Sequence, residues 1–146
     1  MIFDLTTLLS NAQAITTATA ASTDVLDLGA TGRVFGAATD LIKDIGKGMP
    51  IPFDIQIVEA FNNLTSLTVT LQCDDNVGFS SPKDIISQTL PLAKLGAGAK
   101  STIVMIPPGT NERFVRMFYT ATGVVPTLGK ITSGIVLGQQ TNAVGF

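Results

Sequence analysis

Apolar and polar residues alternate most clearly over residues 51–61, where Ile51, Phe53, Ile55, Ile57 and Phe61 share one face, Asp54 and Gln56 take the other, and Glu59 breaks the pattern. A period of two predicts a strand. Asn62-Asn63, a turn-favouring pair, follows. The run from Leu67 to Cys73 then places Leu67, Val69, Leu71 and Cys73 inward and Thr68, Thr70 and Gln72 outward. The two strands are expected to form an antiparallel hairpin or lie as near neighbours. Thr102–Ile106 is apolar on both faces and ends at Pro107-Pro108-Gly109, which predicts a covered strand in mid-sheet. Arg113–Ala121 carries bulk on both faces with Arg116 as the one charge in mid-strand, and Lys130–Leu137 predicts one more strand. Weaker patterns at Ile15–Ala20, Thr23–Leu28 and Ile85–Leu90 bring the count to about eight. Short strands, a turn signal every dozen residues and β-branched enrichment predict an all-β antiparallel sandwich of jelly-roll type. Its expected core includes Phe53, Ile55, Ile57, Leu67, Val69, Leu71, Ile103, Met105, Val115, Met117 and Ile135.

Some segments do not alternate. Thr39–Ile45 places Leu41, Ile42 and Ile45 at helical spacing behind a candidate Thr39 or Asp40 cap and before Gly46, which predicts a short helix within one long loop. The glycines of Gly29–Gly36 mark loop, and residues 1–14 and 139–146 are expected to be flexible arms around a core of about residues 15–138. The 146 residues suit a single domain, 1–146.

Charge changes the picture more than length does. Nine basic and eleven acidic residues leave a net charge of −2, and only 14% of residues are charged, against about 25% in an ordinary soluble domain. With 45% hydrophobic residues and a mean hydropathy of +0.41, such a surface exposes Thr, Gly, Ala and apolar patches of the kind that mark contact sites. That favours a component of an assembly. Nucleic-acid binding is not expected, because it needs a basic stripe to displace counterions, and the Lys and Arg residues lie scattered between Arg33 and Lys130. No run approaches the roughly 18 apolar residues of a membrane span. Ala18-Thr19-Ala20 lacks the basic and apolar flanks of a secretory signal. An intracellular protein with a reduced thiol and no membrane partner is the expectation.

Candidate chemistry is sparse. The chain has no histidine, no tryptophan and one cysteine, Cys73, which excludes a Ser-His-Asp triad, an internal disulfide and a multi-thiolate metal site. Gly96-Ala97-Gly98-Ala99-Lys100-Ser101-Thr102 resembles a phosphate loop. However, Ala99 stands where that motif needs Gly, and a strand rather than a helix is expected next. Asp74 and Asp75 suit a solvated strand end better than a shared acid/base or calcium site, since neighbours on a strand face opposite ways. No cofactor and no enzymatic activity are expected. Arg113 and Arg116, inside an apolar strand, need anionic or carbonyl partners. These are either Glu59 or Asp54 within the chain or a group on another subunit.

Several segments together resemble a known family. They are Ser22-Thr23-Asp24-Val25-Leu26-Asp27-Leu28-Gly29, Asp44-Ile45-Gly46-Lys47-Gly48, Glu59-Ala60-Phe61 and Ser66-Leu67-Thr68-Val69-Thr70-Leu71-Gln72. Phe79-Ser80-Ser81-Pro82, Asn111-Glu112-Arg113-Phe114-Val115-Arg116, Tyr119 and Gly129-Lys130-Ile131-Thr132-Ser133-Gly134-Ile135-Val136-Leu137 complete the series. In this order, from Ser22 to Leu137, they resemble the small capsid cement (decoration) proteins of tailed bacteriophages, typified by the Bordetella phage cement protein. The resemblance implies a jelly roll on the outer surface of an icosahedral head, cementing copies of a major capsid protein of the common tailed-phage fold. It implies a virion location after assembly in the host cytoplasm, and no enzyme. Residues Ala30–Lys43 appear as an addition to the family pattern. Self-association is expected as a homodimer, with a trimer as the alternative. The residues expected at partner interfaces are Phe3, Leu5, Arg33, Phe35, Arg116 and Phe146. Two other readings stay open: a head-completion or tail-tube protein, and a carbohydrate-binding jelly-roll module, which would need exposed aromatics for stacking.

Overall fold

Eight strands make up nearly all the regular structure of residues 2–139, the part of the chain that the computed structural model describes. In chain order they are β1 (Phe3–Ala14), β2 (Thr19–Ala21), β3 (Leu26–Asp27), β4 (Phe53–Glu59), β5 (Leu64–Asp74), β6 (Lys83–Pro91), β7 (Phe114–Gly123) and β8 (Lys130–Val136). A single 3-10 turn, Leu92–Lys94, is the one helical element among the described residues. All strand pairs are antiparallel. A smaller sheet has the order β1-β8-β4, and a larger one runs β6-β5-β7 with β2 and β3 in succession along the far edge of β7.

Residues 99–106 complete the smaller sheet as an irregular edge. Along them the N–H groups of Ile57 and Phe53 donate to the carbonyls of Ala99 and Val104, and those of Ser101 and Ile106 donate to Ile55 and Ile51. With this segment the smaller sheet has four positions facing four in the larger one, in the strand order of a jelly roll. The all-β sandwich expected from the alternating pattern is therefore the fold.

Four local expectations are corrected. The segment Thr102–Ile106 is not a mid-sheet strand: it lies at the free edge of β4, joined by an isolated bridge at Met105, as Lys100, just before it, is joined to Gln56. Its two-sided apolar character has a simple origin, since Ile103 and Ile106 enter the core while Val104 and Met105, the latter 45% exposed, face outward. Residues 51–61 and 67–73 do not form a hairpin, because β4 and β5 belong to different sheets. Asn62 and Asn63 carry the chain across the sandwich instead: the Asn62 side chain accepts N–H bonds from Thr127 and Leu128, and Asn63 takes a left-handed conformation, φ 66°. Thr39–Ile45 forms no helix; its candidate cap Asp40 pairs with Arg33, and the Ile45 amide donates to the Thr110 carbonyl.

The fourth correction is the largest, since most of the expected N-terminal arm, residues 1–14, is strand β1. Its pairing with β8 shifts register three times, between Phe3 and Leu8, Leu8 and Ser10, and Ser10 and Gln13. The first shift moves the chain by three residues and the other two by one each, odd steps that exchange its faces every time. No period of two survives in the sequence. Gly134 of β8 makes this crossing possible: a Cβ there would lie 2.9 Å from Leu8 Cα.

Between the sheets, Leu67, Val69, Leu71 and Cys73 of β5 and Val115, Met117 and Tyr119 of β7 pack against Phe53, Ile55 and Ile57 of β4 and Ile131 of β8. Ile135, expected in the core, is only partly buried. Tyr119 joins three strands through its hydroxyl, 2.7 Å from Ser10 Oγ of β1 and 3.0 Å from Ser133 Oγ of β8. Ser10 also donates to the amide oxygen of Gln13, which can only accept. The hydrogen bonds therefore run in one direction, Ser133 to Tyr119 to Ser10 to Gln13. Burial pushes the Tyr119 phenol up to about 12, so the hydroxyl keeps its proton.

Candidate interaction surface

The long loop between β3 and β4, residues 28–52, is organised by one carboxylate. Asp44 accepts the Gly46 amide on one oxygen and the Gly109 amide on the other, 3.0 and 2.8 Å away. The Gly109 amide is the main reason its carboxyl is held below the usual range. Gly46 must be glycine, because a Cβ would lie 1.9 Å from the Pro107 carbonyl oxygen. Lys43 Nζ bonds the Leu28 carbonyl, and Arg33 pairs with Asp40 at 2.7 Å. Held this way, the loop presents Val34, Phe35, Leu41, Ile42 and Met49 to solvent, with Phe35 fully exposed. Beside it lies an open cleft of about 450 Å³ whose lining includes Leu28, Leu41, Ile42, Asp75, Glu112 and Arg113.

The outer face of the larger sheet carries mostly uncharged Thr, Ser and Gln side chains, with Arg116 and Asp84 set among them. Register places Gln72 beside Arg116 and Asp84, Thr70 beside Phe118 and Ser87, and Thr68 beside Thr120 and Thr89. Phe114, Arg116 and Phe118 alternate along β7 toward this face, each half-buried. The Arg116 guanidinium lies over the Phe79 ring at 4.0 Å and the Phe118 ring at 5.3 Å, and its Nε donates to Gln72. Gln72 is itself oriented by its own bond to Asp84. Arg113 differs: it grips Asp27 with two 2.8 Å bonds, and the Arg113 hydrogen bond pulls the Asp27 carboxyl down to about 2. The intramolecular partners expected from sequence, Glu59 and Asp54, belong instead to lysines. Glu59 pairs with Lys130 at 2.8 Å, and Lys100 Nζ lies 3.9 Å from Asp54.

Apolar side chains also gather at one end of the smaller sheet. Leu137 donates its amide to the Ile2 carbonyl, Val136 pairs with Phe3, and Pro52 bridges to Met105, so exposed Ile2, Leu137 and Met105 lie along one end of adjacent strands. On the neighbouring β4, Asp54 is 1% exposed, and neither oxygen has a hydrogen-bond partner among the described residues. Burial pushes its carboxyl up.

The residues expected at interfaces thus lie apart. Arg33 and Phe35 are on the long loop, Phe3 and Leu5 on β1, with Leu5 77% exposed, and Arg116 on the larger sheet. Phe146 lies outside the described residues, as does all of the C-terminal arm beyond Gln139, whose amide donates to the Phe53 and Val104 carbonyls. Asp74 is not a solvated strand end: it is buried, accepts the Asn76 and Ser81 amides, and is thereby held below the usual carboxylate range. Burial pushes the Cys73 thiol up, away from the reactive thiolate. Gly96–Ser101 leads onto the β4 edge and opens no helix. Sequence reading missed Asp44 as the organiser of the loop, although Asp44-Ile45-Gly46 carries the signal of an Asx turn. It also missed Ile42 and Met49 as exposed apolar residues.

Fold and surface define the class: an antiparallel jelly-roll sandwich of low charge, with apolar and arginine-bearing patches spread over several faces. The Bbp16 family model matches residues 9–135, and the chain belongs to that family. The family name suggests a Bordetella phage protein, which agrees with the phage resemblance read from the sequence. No curated protein matches the chain.

Proposed function

We propose that this protein is a structural, non-enzymatic component of a phage head that binds the outer surface of the shell and cements neighbouring major capsid protein subunits. The observation that carries the reading is the unpartnered apolar surface. Phe35, Ile42 and Met49 on the anchored loop, and Ile2, Leu5 and Leu137 at the end of the smaller sheet, stand in water in a chain with few charges. Isolated exposed apolar residues are ordinary, but grouped ones on a rigid frame mark contact sites. Membership of a phage-related family gives that surface its context. A cement resists outward pressure through many modest contacts repeated over a symmetric lattice, where linked weak sites gain avidity without any single tight one. A surface of Thr, Ser and apolar groups loses little on desolvation. Self-association, a homodimer in our reading, fits the same role because closed symmetric pairs bridge symmetric subunits.

The test is to mix the chain with purified heads of the phage that encodes it, assembled without this protein. Co-sedimentation and a rise in the temperature at which the heads rupture are expected. Intact chain that neither binds nor stabilises those heads would overturn the reading.

A further inference from the structure

We propose that the outer face of the larger sheet is a docking surface that receives a single carboxylate of a protein partner on Arg116. Within the shell-binding reading above, on which this rests for the partner's identity, that carboxylate is an Asp or Glu side chain of the shell protein.

Three observations converge. Arg116 is ordered in advance: its guanidinium is stacked between Phe79 and Phe118 and turned by the Gln72 bond, so little rotamer entropy remains to be lost on binding. Its fork is open: among the described residues no carboxylate lies within ion-pair distance and its two terminal amino groups make no hydrogen bond, although Asp74 and Asp84 lie near enough to act on its charge. Arg113, three residues away, shows the alternative, with the same fork closed two-pronged on Asp27. The two amino groups remain open to solvent, and a bidentate carboxylate answers both at once.

The surroundings choose among anions. Asp27 is neutralised by Arg113, but Asp74 and Asp84 act on the Arg116 charge, so every further negative charge brought to this face is repelled. A polyanion such as nucleic acid meets that repulsion at each phosphate, whereas a lone carboxylate meets it once and is offset by its two hydrogen bonds to the guanidinium. Around it, Phe114 and Phe118 supply half-buried aromatic area and Thr68, Ser87 and Thr89 an uncharged polar rim. Aromatic and arginine anchors within a polar rim are the usual composition of an interface hot spot.

The experiment uses the full-length chain, Arg116→Gln, Arg116→Lys and Phe35→Ala, each titrated onto the same purified heads at several salt concentrations. The melting temperature of each free variant is measured beside it. Arg116→Gln is expected to weaken binding about tenfold or more and to flatten its salt dependence. Arg116→Lys, which keeps the charge but loses the planar fork, is expected to fall between Gln and the parent. Should Arg116→Gln fail to fold, Arg116→Lys decides alone. If the parent binds and a folded Arg116 variant binds within about twofold of it, the carboxylate site is wrong while the shell-binding reading stands. Competition by a short DNA duplex that depends on Arg116 would overturn the carboxylate in favour of a phosphate. A parent that does not bind the heads removes both.

Discussion

The two sheets close one core but are built to different standards. In the larger sheet, β5 pairs with β7 without interruption from Ser66 to Asp74 and with β6 from Ser66 to Leu71. Its inward residues Leu67, Val69, Leu71, Val115, Met117 and Tyr119 are essentially inaccessible. The smaller sheet has a β1 that changes register three times, an edge made of isolated bridges, and a buried Asp54 whose oxygens accept no hydrogen bond from the described residues. Regular ladders concentrate stability, whereas bulges and loose edges re-aim side chains at a cost in stability. The larger sheet therefore supplies the rigid frame, and the smaller sheet with its adjoining loop supplies much of the apolar surface on which the proposed function rests.

The sharpest way to break this contrast is to damage the frame. Leu71→Ala opens a cavity at the centre of β5 and is expected to cost about 2 to 5 kcal/mol in urea unfolding. A change below about 0.5 kcal/mol, typical of exposed positions, would show that the larger sheet is not the load-carrying layer.

Next comes the joint between the sheets. Tyr119→Phe removes the middle of the hydroxyl chain and leaves Ser133 without its acceptor. A buried donor stranded in this way costs about 1 to 3 kcal/mol. The phenol is also pushed up to about 12 by burial. The unfolded chain, with a phenol pKa of about 10, ionises first as pH rises. The stability that Tyr119 contributes is thus complete below about pH 10 and is lost between about pH 10 and 12. The unfolding free energy measured across that range should fall for the parent relative to Tyr119→Phe.

The same contrast decides how much could be read from the sequence. Strands β4, β5, β7 and β8 were legible because each keeps one face toward the core, so Phe53, Ile55 and Ile57, or Leu67, Val69 and Leu71, repeat every second residue. Strand β1 was not, because its bulges exchange faces faster than any period can register, and Phe3, Leu5, Leu8 and Leu9 resemble the apolar residues of an arm. Residues 102–106 were misplaced for the opposite reason. An edge segment with Ile103 and Ile106 inward and Val104 and Met105 outward has the apolar density of a covered strand. Pairing partners were illegible too. Nothing in the local pattern tells that Asp27, fully 86 residues away, closes on Arg113 while Arg116 keeps an open fork. Phe35 and Arg116 were singled out from their residue types alone, and their separation onto different faces is a property of the topology.

A subtler test concerns Asp54 in the smaller sheet. Burial raises its carboxyl above the ordinary value of 3.8, with the Lys100 charge opposing the shift. The folded state then binds its proton at a higher pH than the unfolded state does. Its favourable contribution is present below pH 3.8 and is lost as pH rises through the folded value. Compared with Asp54→Asn, the parent should gain stability as pH falls from neutrality toward 4. A difference that does not change over that range would show the carboxylate to be solvated, and the smaller sheet to be better satisfied than its hydrogen bonds indicate.

The smallest effect on stability is expected where the effect on function is expected to be large. Phe35 stands fully in water on a loop pinned by Asp44 and Gly46, and its ring makes no part of the core. Phe35→Ala should therefore change the unfolding free energy by less than about 0.5 kcal/mol. On the shell the balance reverses, because an aromatic ring that passes from water into a pocket contributes about 1.5 to 3 kcal/mol. Each copy would lose roughly tenfold or more in affinity. Gly46→Ala sharpens the distinction between the ring and the frame that presents it. Its Cβ forces the loop off Pro107, so the Ile45 and Gly109 amides should lose protection from hydrogen exchange, and head binding should fall even though Phe35 is intact. If Phe35→Ala binds heads as the parent does while Gly46→Ala does not, the contact lies elsewhere on the loop, with Ile42 and Met49 next in line. If both bind normally, the loop is not a contact, and the weight of attachment falls on the ends of the smaller sheet and on Arg116.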